Sequence, residues 1–459
     1  MESHRGVRVQ GTPYAPGLVS GILQRGMDGL GAGKLCVLSH KDIGLIVQGP
    51  QADDRALARK FHGAGIIAVG GAPLSHGMIR LLSLGVPTVI VSSEQLRDLS
   101  DGTALILDGA TGLISDLSEA TSAATRIEPV IPQPGASVVT ADGARLRLMA
   151  SISGTFGAAS AVACGAASIG LVRSEYLLPP DDRSPDADYF ESVFERLCDA
   201  ARPLPLTVRL VDIAAGKSFN YQAGMSGAEW TLGARGSQLY STDSVHRVFQ
   251  AQVEAVGRLA ARFDLSLLLP NVWGLEAYRH WRSEIERLPN GAVRIGAMAE
   301  TPAAALAIAD LAKRADFVAI GCNDLMQCFF GIDRNIAELS QFLDPCAPAL
   351  LRFLREVAVA AGERLAEVQL CGLLPQSPGV LPVLVGIGFR SFSVEPRMIP
   401  YLAETIRGID TVSASALATS VCSAPDSETV RDLLGLPQGS ASFFNQRTSN
   451  RGQGSSSRH

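Results

Sequence analysis

The chain opens with short apolar segments rather than long ones. KLCVLS, GIIAVGG, PTVIVSS and TALILDG are rich in β-branched residues and separated by glycine turns, and DDRALARKFHGAG among them carries helical spacing. This pattern predicts a small mixed α/β domain over residues 7–117. SDLSEATSAATRIEPVIPQPGASV follows, with three prolines and no apolar stripe in its second half, and predicts a linker over residues 118–140. From residue 141 to 436 the pattern changes. Strand candidates RLRLMASIS, AASIGLVRSEYLL, LTVRLVDIA, LSLLLPNV, VRIGAMAE, FVAIGCNDL, VQLCG and FRSFSV alternate with helical stretches such as TPAAALAIADLAKRA and PALLRFLREVAVAAGERLA. Repeated strand–helix units of this kind predict a (β/α)₈ TIM barrel, so the fold class is α/β with a small domain ahead of the barrel. The Ser-, Gly- and Arg-rich residues 437–459 predict a disordered tail.

Composition narrows the function classes. Among 459 residues, 47% are hydrophobic and 19% charged, enough for two cores. The net charge of −5 gives no reason to expect nucleic acid as a partner. No apolar run is long enough for a membrane span, and MESHRGVRVQ lacks the apolar core of a signal peptide. The 8 cysteines form no CxxC pair, which fits a reducing cytoplasm better than a disulfide framework.

Candidate chemistry collects where the barrel strands end, the face on which such barrels carry their sites. Arg173 and Glu175 follow IGLV, Arg209 and Asp212 lie in TVRLVDIA, and Lys217 comes shortly after. Glu300 ends RIGAMAE, Asn323 and Asp324 follow FVAIGC, Cys371 ends EVQL, and Arg235 and Arg334 occupy neighbouring loops. Guanidinium forks bind phosphate or carboxylate bidentately, while Glu300 and Asp324 offer hard oxygens suited to Mg²⁺. The pattern points to a small polyanionic substrate held on a metal at a cationic barrel mouth. The plainer alternative is charged residues pairing with one another across that mouth.

A longer run of motifs goes further. IGLVRSEYL, TVRLVDIAAGKSFNY, LGARG, GAMAETPAAALAIADLAKRADFVAIGCNDLMQ, GIDRN, QLCG and GFRSFSVEPRMIP follow one another as in the phosphoenolpyruvate-utilising enzymes. They resemble most the enzyme I branch of the sugar phosphotransferase system, with pyruvate phosphate dikinase and phosphoenolpyruvate synthase as relatives. GGAPLSHGMIRLLSLGVPTVIV resembles the family's swivelling phosphohistidine domain. The resemblance implies that His76 takes a phosphoryl group from phosphoenolpyruvate in the barrel, releases pyruvate, and delivers the group elsewhere. A neutral imidazole suits that nucleophilic role. If His76 begins a helix, the N-terminus would also steady the phosphoimidazole.

By the same resemblance, Arg173, Arg209 and Arg334 hold the phosphate with Asn323 nearby. Arg235 and Lys217 lie close to the substrate, Glu300 and Asp324 hold Mg²⁺, and Cys371 exchanges the C3 proton of pyruvate. A thiol near its ordinary pKa would serve in either direction. A homodimer is also implied.

Several positions depart from the family pattern. Leu82 stands where a helical arginine is expected, with Arg80 nearby as a substitute. The loop before Lys217 lacks an aspartate, Gln238 replaces an arginine, and Leu373 replaces the glutamate beside the thiol. No helical domain for the carrier HPr and no ATP-grasp domain is visible, so a separate HPr-like or ATP-grasp protein, or a small molecule, is the expected acceptor. Two other readings stay open: a divergent enolpyruvate-processing enzyme, and a non-catalytic phosphoenolpyruvate-binding regulator.

Overall fold

The computed structural model describes residues 8–26, 30–48, 57, 59–70, 72–117, 129–179, 184–213, 235–340 and 342–436. Two sheets organise them. The first joins β1 (Arg8–Gln10), β2 (Thr12–Ala15), β3 (Leu18–Arg25), β4 (Lys34–Ser39), β5 (Gly65–Val69), β6 (Thr88–Val91), β7 (Ala104–Asp108) and β8 (Leu113–Asp116). Its order is β1-β8-β7-β3-β4-β5-β6-β2, with β3 to β6 parallel and the flanking strands antiparallel. One apolar layer, including Ile43, Ile66, Met78 and Leu81, covers one face, and another, including Leu23, Ile67, Val89 and Leu107, covers the other. Of the stretch DDRALARKFHGAG, Leu57, Arg59 and Lys60 are helical, residues 61–63 form a turn and Gly65 begins β5.

A short strand, β9 (Val138–Val139), pairs antiparallel with β10 (Arg145–Ile152) and leads into the second sheet. This continues through β11 (Ile169–Arg173), β12 (Leu206–Arg209), β13 (Leu265–Leu269), β14 (Arg294–Ala299), β15 (Val318–Gly321), β16 (Val368–Cys371) and β17 (Ser391–Val394). Every neighbour from β10 to β17 is parallel, and β10 pairs with both β11 and β17, which closes the barrel. The LSLLL of β13 is buried throughout, as expected of a parallel strand covered on both faces. Leu171, Leu268, Met298, Phe317, Ala319 and Cys371 form a separate apolar cluster from strands around the barrel.

Two expected elements are shorter than the pattern indicates. AASIGLVRSEYLL keeps only Ile169–Arg173 as strand, then tightens into a single 3₁₀ turn, Ser174–Leu177, which buries Glu175. TPAAALAIADLAKRA divides at Ala307 into Pro302–Leu306 and Ile308–Arg314, and nothing in the local sequence explains the break. Among the described residues no helix is long and apolar enough to cross a membrane.

The small domain is seated on the barrel. Ala15, Leu74, Ile79 and Leu82 belong to the same continuous apolar cluster as the barrel core. Leu82 is 2% exposed, so the residue standing at the expected arginine position serves this packing. Arg80, the nearby candidate for that arginine's place, has its guanidinium 5.2 Å from the centre of the Tyr176 ring, on the barrel.

Candidate active site

The strand ends bring the predicted residues to one mouth. Arg173 closes β11, Arg209 closes β12 and Cys371 closes β16, while Glu300 follows β14 directly. Asn323 and Asp324 sit in the first turn of the helix Cys322–Phe330, whose N-cap Gly321 ends β15. A Cβ on Gly321 would lie 2.6 Å from Glu300 Oε1, so glycine there makes room for the carboxylate.

Arg209 is the hub. Its guanidinium reaches Glu175 at 2.5 Å, Asp212 at 3.0 Å and Glu300 at 3.8 Å, and is 8% exposed. Burial works against this charge, but Glu175, Asp212, Glu300 and Asp324 together outweigh it and raise its pKa further above the ordinary value. Arg235 donates to Asp324 Oδ1 at 2.7 Å, and Asp324 is also the main cause of that guanidinium's raised pKa. Arg334 meets the other oxygen of Asp324 at 3.1 Å. Arg173 Nη2 donates to Glu395 at 2.9 Å. Among the described residues its Nη1 is buried with no hydrogen-bond partner.

Four arginines therefore face five carboxylates, Glu175, Asp212, Glu300, Asp324 and Glu395. Among the described residues the mouth is a paired network rather than the cationic cup expected from sequence. The excess negative charge falls on Glu300. Burial, then Asp212 and Asp324, push its carboxyl up to about 8 against the pull of Arg209 and Arg235. Its Oε2 accepts the backbone N–H of Asn271 at 2.8 Å.

These residues fit the Mg²⁺ that the resemblance implies. Among the described residues no three His, Cys, Asp or Glu side chains converge on a metal-sized point. Mg²⁺ needs only one or two carboxylates when water and an anionic substrate complete its shell. A cation between Glu300 and Asp324 would offset the burial and crowding of carboxylates that raise the Glu300 carboxyl.

Cys371 is 1% exposed and pairs in register with Ser393 of β17, whose hydroxyl lies 2.9 Å from Ser151 Oγ. Burial dominates and pushes the thiol up to about 12, although Ser393, Arg173 and Arg209 pull it down. The expectation of a thiol near its ordinary value is thus not met. Asn323 is turned away from a free position: its Oδ1 accepts the Leu373 backbone N–H at 2.9 Å, binding two strand ends together. Gln238, the residue in place of an arginine, accepts the Arg235 backbone N–H at 3.3 Å. Cys322 is buried and Cys328 partly so, as small packing residues.

The motif around His76 is held against this mouth. His76 is the first residue of the helix His76–Ser83, and Ser75 caps it by accepting the Met78 N–H. Arg334 Nη1 donates to the Leu74 carbonyl at 3.2 Å, two residues before the histidine. The side chain of His76 lies outside the described residues, as does Lys217.

Sequence reasoning assigned no role to Glu395, Ser393 or Asn271. Glu395 had a usable signal, since FSVE ends a barrel strand in a carboxylate just as RIGAMAE does. Asn271 acts through its backbone and offered none.

Comparison with known proteins agrees with the two-part layout. A family model described as the PEP-binding domain of PEP-utilising enzymes matches residues 133–411, and one described as their mobile domain matches residues 44–112. The chain is 31% identical to phosphoenolpyruvate-protein phosphotransferase of Haloferax volcanii, over 82% of this chain and 68% of that one. It is 31% and 30% identical to multiphosphoryl transfer proteins of Rhodobacter capsulatus and Xanthomonas campestris, over 74% and 82% of this chain. It spans only 42% and 46% of their length. The solved structure of citrate synthase SbnG aligns over 62% of the chain at 16% identity with a TM-score of 0.34, too low to carry an argument. The barrel, its polar strand ends and the docked small domain thus come together with both family matches: the chain belongs to the phosphoenolpyruvate-utilising enzymes.

Proposed function

We propose that the protein is a Mg²⁺-dependent phosphotransferase that moves the phosphoryl group of phosphoenolpyruvate to His76 and releases pyruvate. The observation that carries this reading is the pair of contacts made by Arg334. One end of its guanidinium belongs to the anion-binding network at Asp324, and the other holds the Leu74 carbonyl of the histidine-bearing segment. A side chain assigned to the phosphate is therefore bonded to the backbone two residues before the proposed acceptor.

In the proposed reaction Arg173, Arg209 and Arg334 orient the phosphate with Asn323 nearby, while Arg235 and Lys217 lie close to the phosphate or carboxylate end of the substrate. The bond between phosphorus and the enol oxygen breaks as one forms between phosphorus and an imidazole nitrogen. Such a transfer depends on placement and charge neutralisation more than on covalent help from the protein. The enolate left behind takes a proton at C3 from the Cys371 thiol, which solvent later restores. Mg²⁺ on Glu300 and Asp324 would neutralise charge on the phosphate and carboxylate of the substrate. The phosphoryl group then passes to a separate acceptor, an HPr-like or ATP-grasp protein or a small molecule. We place the reaction in the cytoplasm, in a homodimer.

The test uses labelled phosphoenolpyruvate with Mg²⁺. Acid-labile, base-stable label on the protein, absent in His76→Ala and abolished by EDTA, supports the reading. Calorimetric binding of phosphoenolpyruvate without any label would overturn transfer. That outcome would favour a regulatory phosphoenolpyruvate-binding homologue, the second reading, which draws on Leu82 being committed to apolar packing where the family resemblance expects an arginine. Pyruvate release without label would point instead to a divergent enolpyruvate enzyme.

A further inference from the structure

Glu395 is 1% exposed at the end of β17 and carries two different contacts on its two oxygens. Oε1 accepts from Nη2 of Arg173, a barrel residue, at 2.9 Å. Oε2 accepts from the hydroxyl of Ser83, the last residue of the helix that starts at His76, at 2.8 Å. The Ser83 proton has a rival acceptor in the Ile79 carbonyl at 3.0 Å, but the carboxylate offers the stronger, charge-assisted bond. Around this point the two domains fit closely. A Cβ on Gly85, just past the helix, would fall 1.7 Å from Arg397 Nε, and the φ of +67° there also favours glycine.

We propose that Glu395 is a positioning residue that shares Arg173 between the substrate anion and the docked small domain. The inference rests on the phosphotransferase reading above for its substrate, but not for its docking half. In the present arrangement Glu395 occupies one nitrogen of the Arg173 fork and leaves Nη1 for an oxyanion. It neutralises Arg173, which costs anion affinity, and with its other oxygen it keeps the histidine helix on the barrel. Arg173 and Ser83 thereby compete for one buried carboxylate. An undocked helix leaves Glu395 with Arg173 alone, and a tightly bound anion draws Arg173 from Glu395. Each event changes the free energy of the other.

This trade gives opposite signs that a purely structural residue would not. In Glu395→Gln, which keeps the shape, phosphoenolpyruvate binds about fivefold tighter because Arg173 is released, while single-turnover labelling of His76 slows about tenfold. In Ser83→Ala affinity falls about twofold, because Glu395 is left to Arg173 alone, and labelling slows about tenfold, the worth of one charge-assisted hydrogen bond. Ser83→Thr keeps a hydroxyl and restores the rate. Small-angle X-ray scattering without substrate shows Ser83→Ala and Glu395→Gln more extended than wild type and Ser83→Thr. Weaker binding in Glu395→Gln, or a Ser83→Ala protein as compact as wild type, overturns the proposal. If wild type takes no label at all, the transfer reading fails, and the scattering comparison still decides the contact.

Discussion

Glu300→Gln tests the electrostatics of the mouth most directly. The wild-type carboxyl is raised from 4.5 to about 8 by burial and by Asp212 and Asp324. A carboxyl raised on folding leaves stability intact below its unfolded pKa and erodes it as pH climbs through the folded value. For Glu300 that window runs from 4.5 to about 8. Each unit corresponds to about 1.4 kcal/mol, so by pH 9 the ionised carboxylate costs the metal-free protein up to about 5 kcal/mol. Glutamine keeps an oxygen for the Asn271 N–H and removes the ionisation. Arg209 still has Glu175 and Asp212.

Thermal unfolding in EDTA at pH 5, 7 and 9 measures the difference. The variant should match wild type at pH 5 and exceed it by several degrees at pH 9, at roughly 2 °C per kcal/mol. With Mg²⁺ and phosphoenolpyruvate the order reverses, since the variant has lost a metal ligand. A Tm advantage that does not grow with pH would refute the charge-frustration argument, whatever happens to activity.

Other outcomes follow from the same geometry. Gly321→Ala puts a methyl 2.6 Å from Glu300 Oε1 and should weaken Mg²⁺ binding about tenfold or more by displacing the carboxylate, checked by calorimetry against Glu300→Gln. Cys371→Ala should bind phosphoenolpyruvate normally but slow solvent-proton exchange at C3 of pyruvate, read by NMR; unchanged exchange removes the thiol from the reaction. Because burial lifts that thiol to about 12, iodoacetamide should leave Cys371 unmodified at pH 8, as peptide mass spectrometry would show. Arg334→Lys keeps a charge but cannot span Asp324 and the Leu74 carbonyl together, so His76 labelling should fall about 10²-fold with a smaller loss of affinity.

The order of apolar and polar positions was enough to specify the barrel. Runs such as LSLLL bury both faces of a parallel strand, and a polar residue at the end of a run marks the mouth. That rule located Arg173, Arg209, Glu300, Asp324 and Cys371 without any coordinate. It could not say how their charges balance, because pairing depends on distances between strands far apart in sequence. Only the closed barrel sets Arg209 beside both Glu175 and Glu300, and only the seated small domain brings Ser83 to Glu395 and Leu74 to Arg334. The identity of each chemical group is local and is written along the chain. Its proton, its partner and its strength are set by burial and by neighbours that folding alone selects.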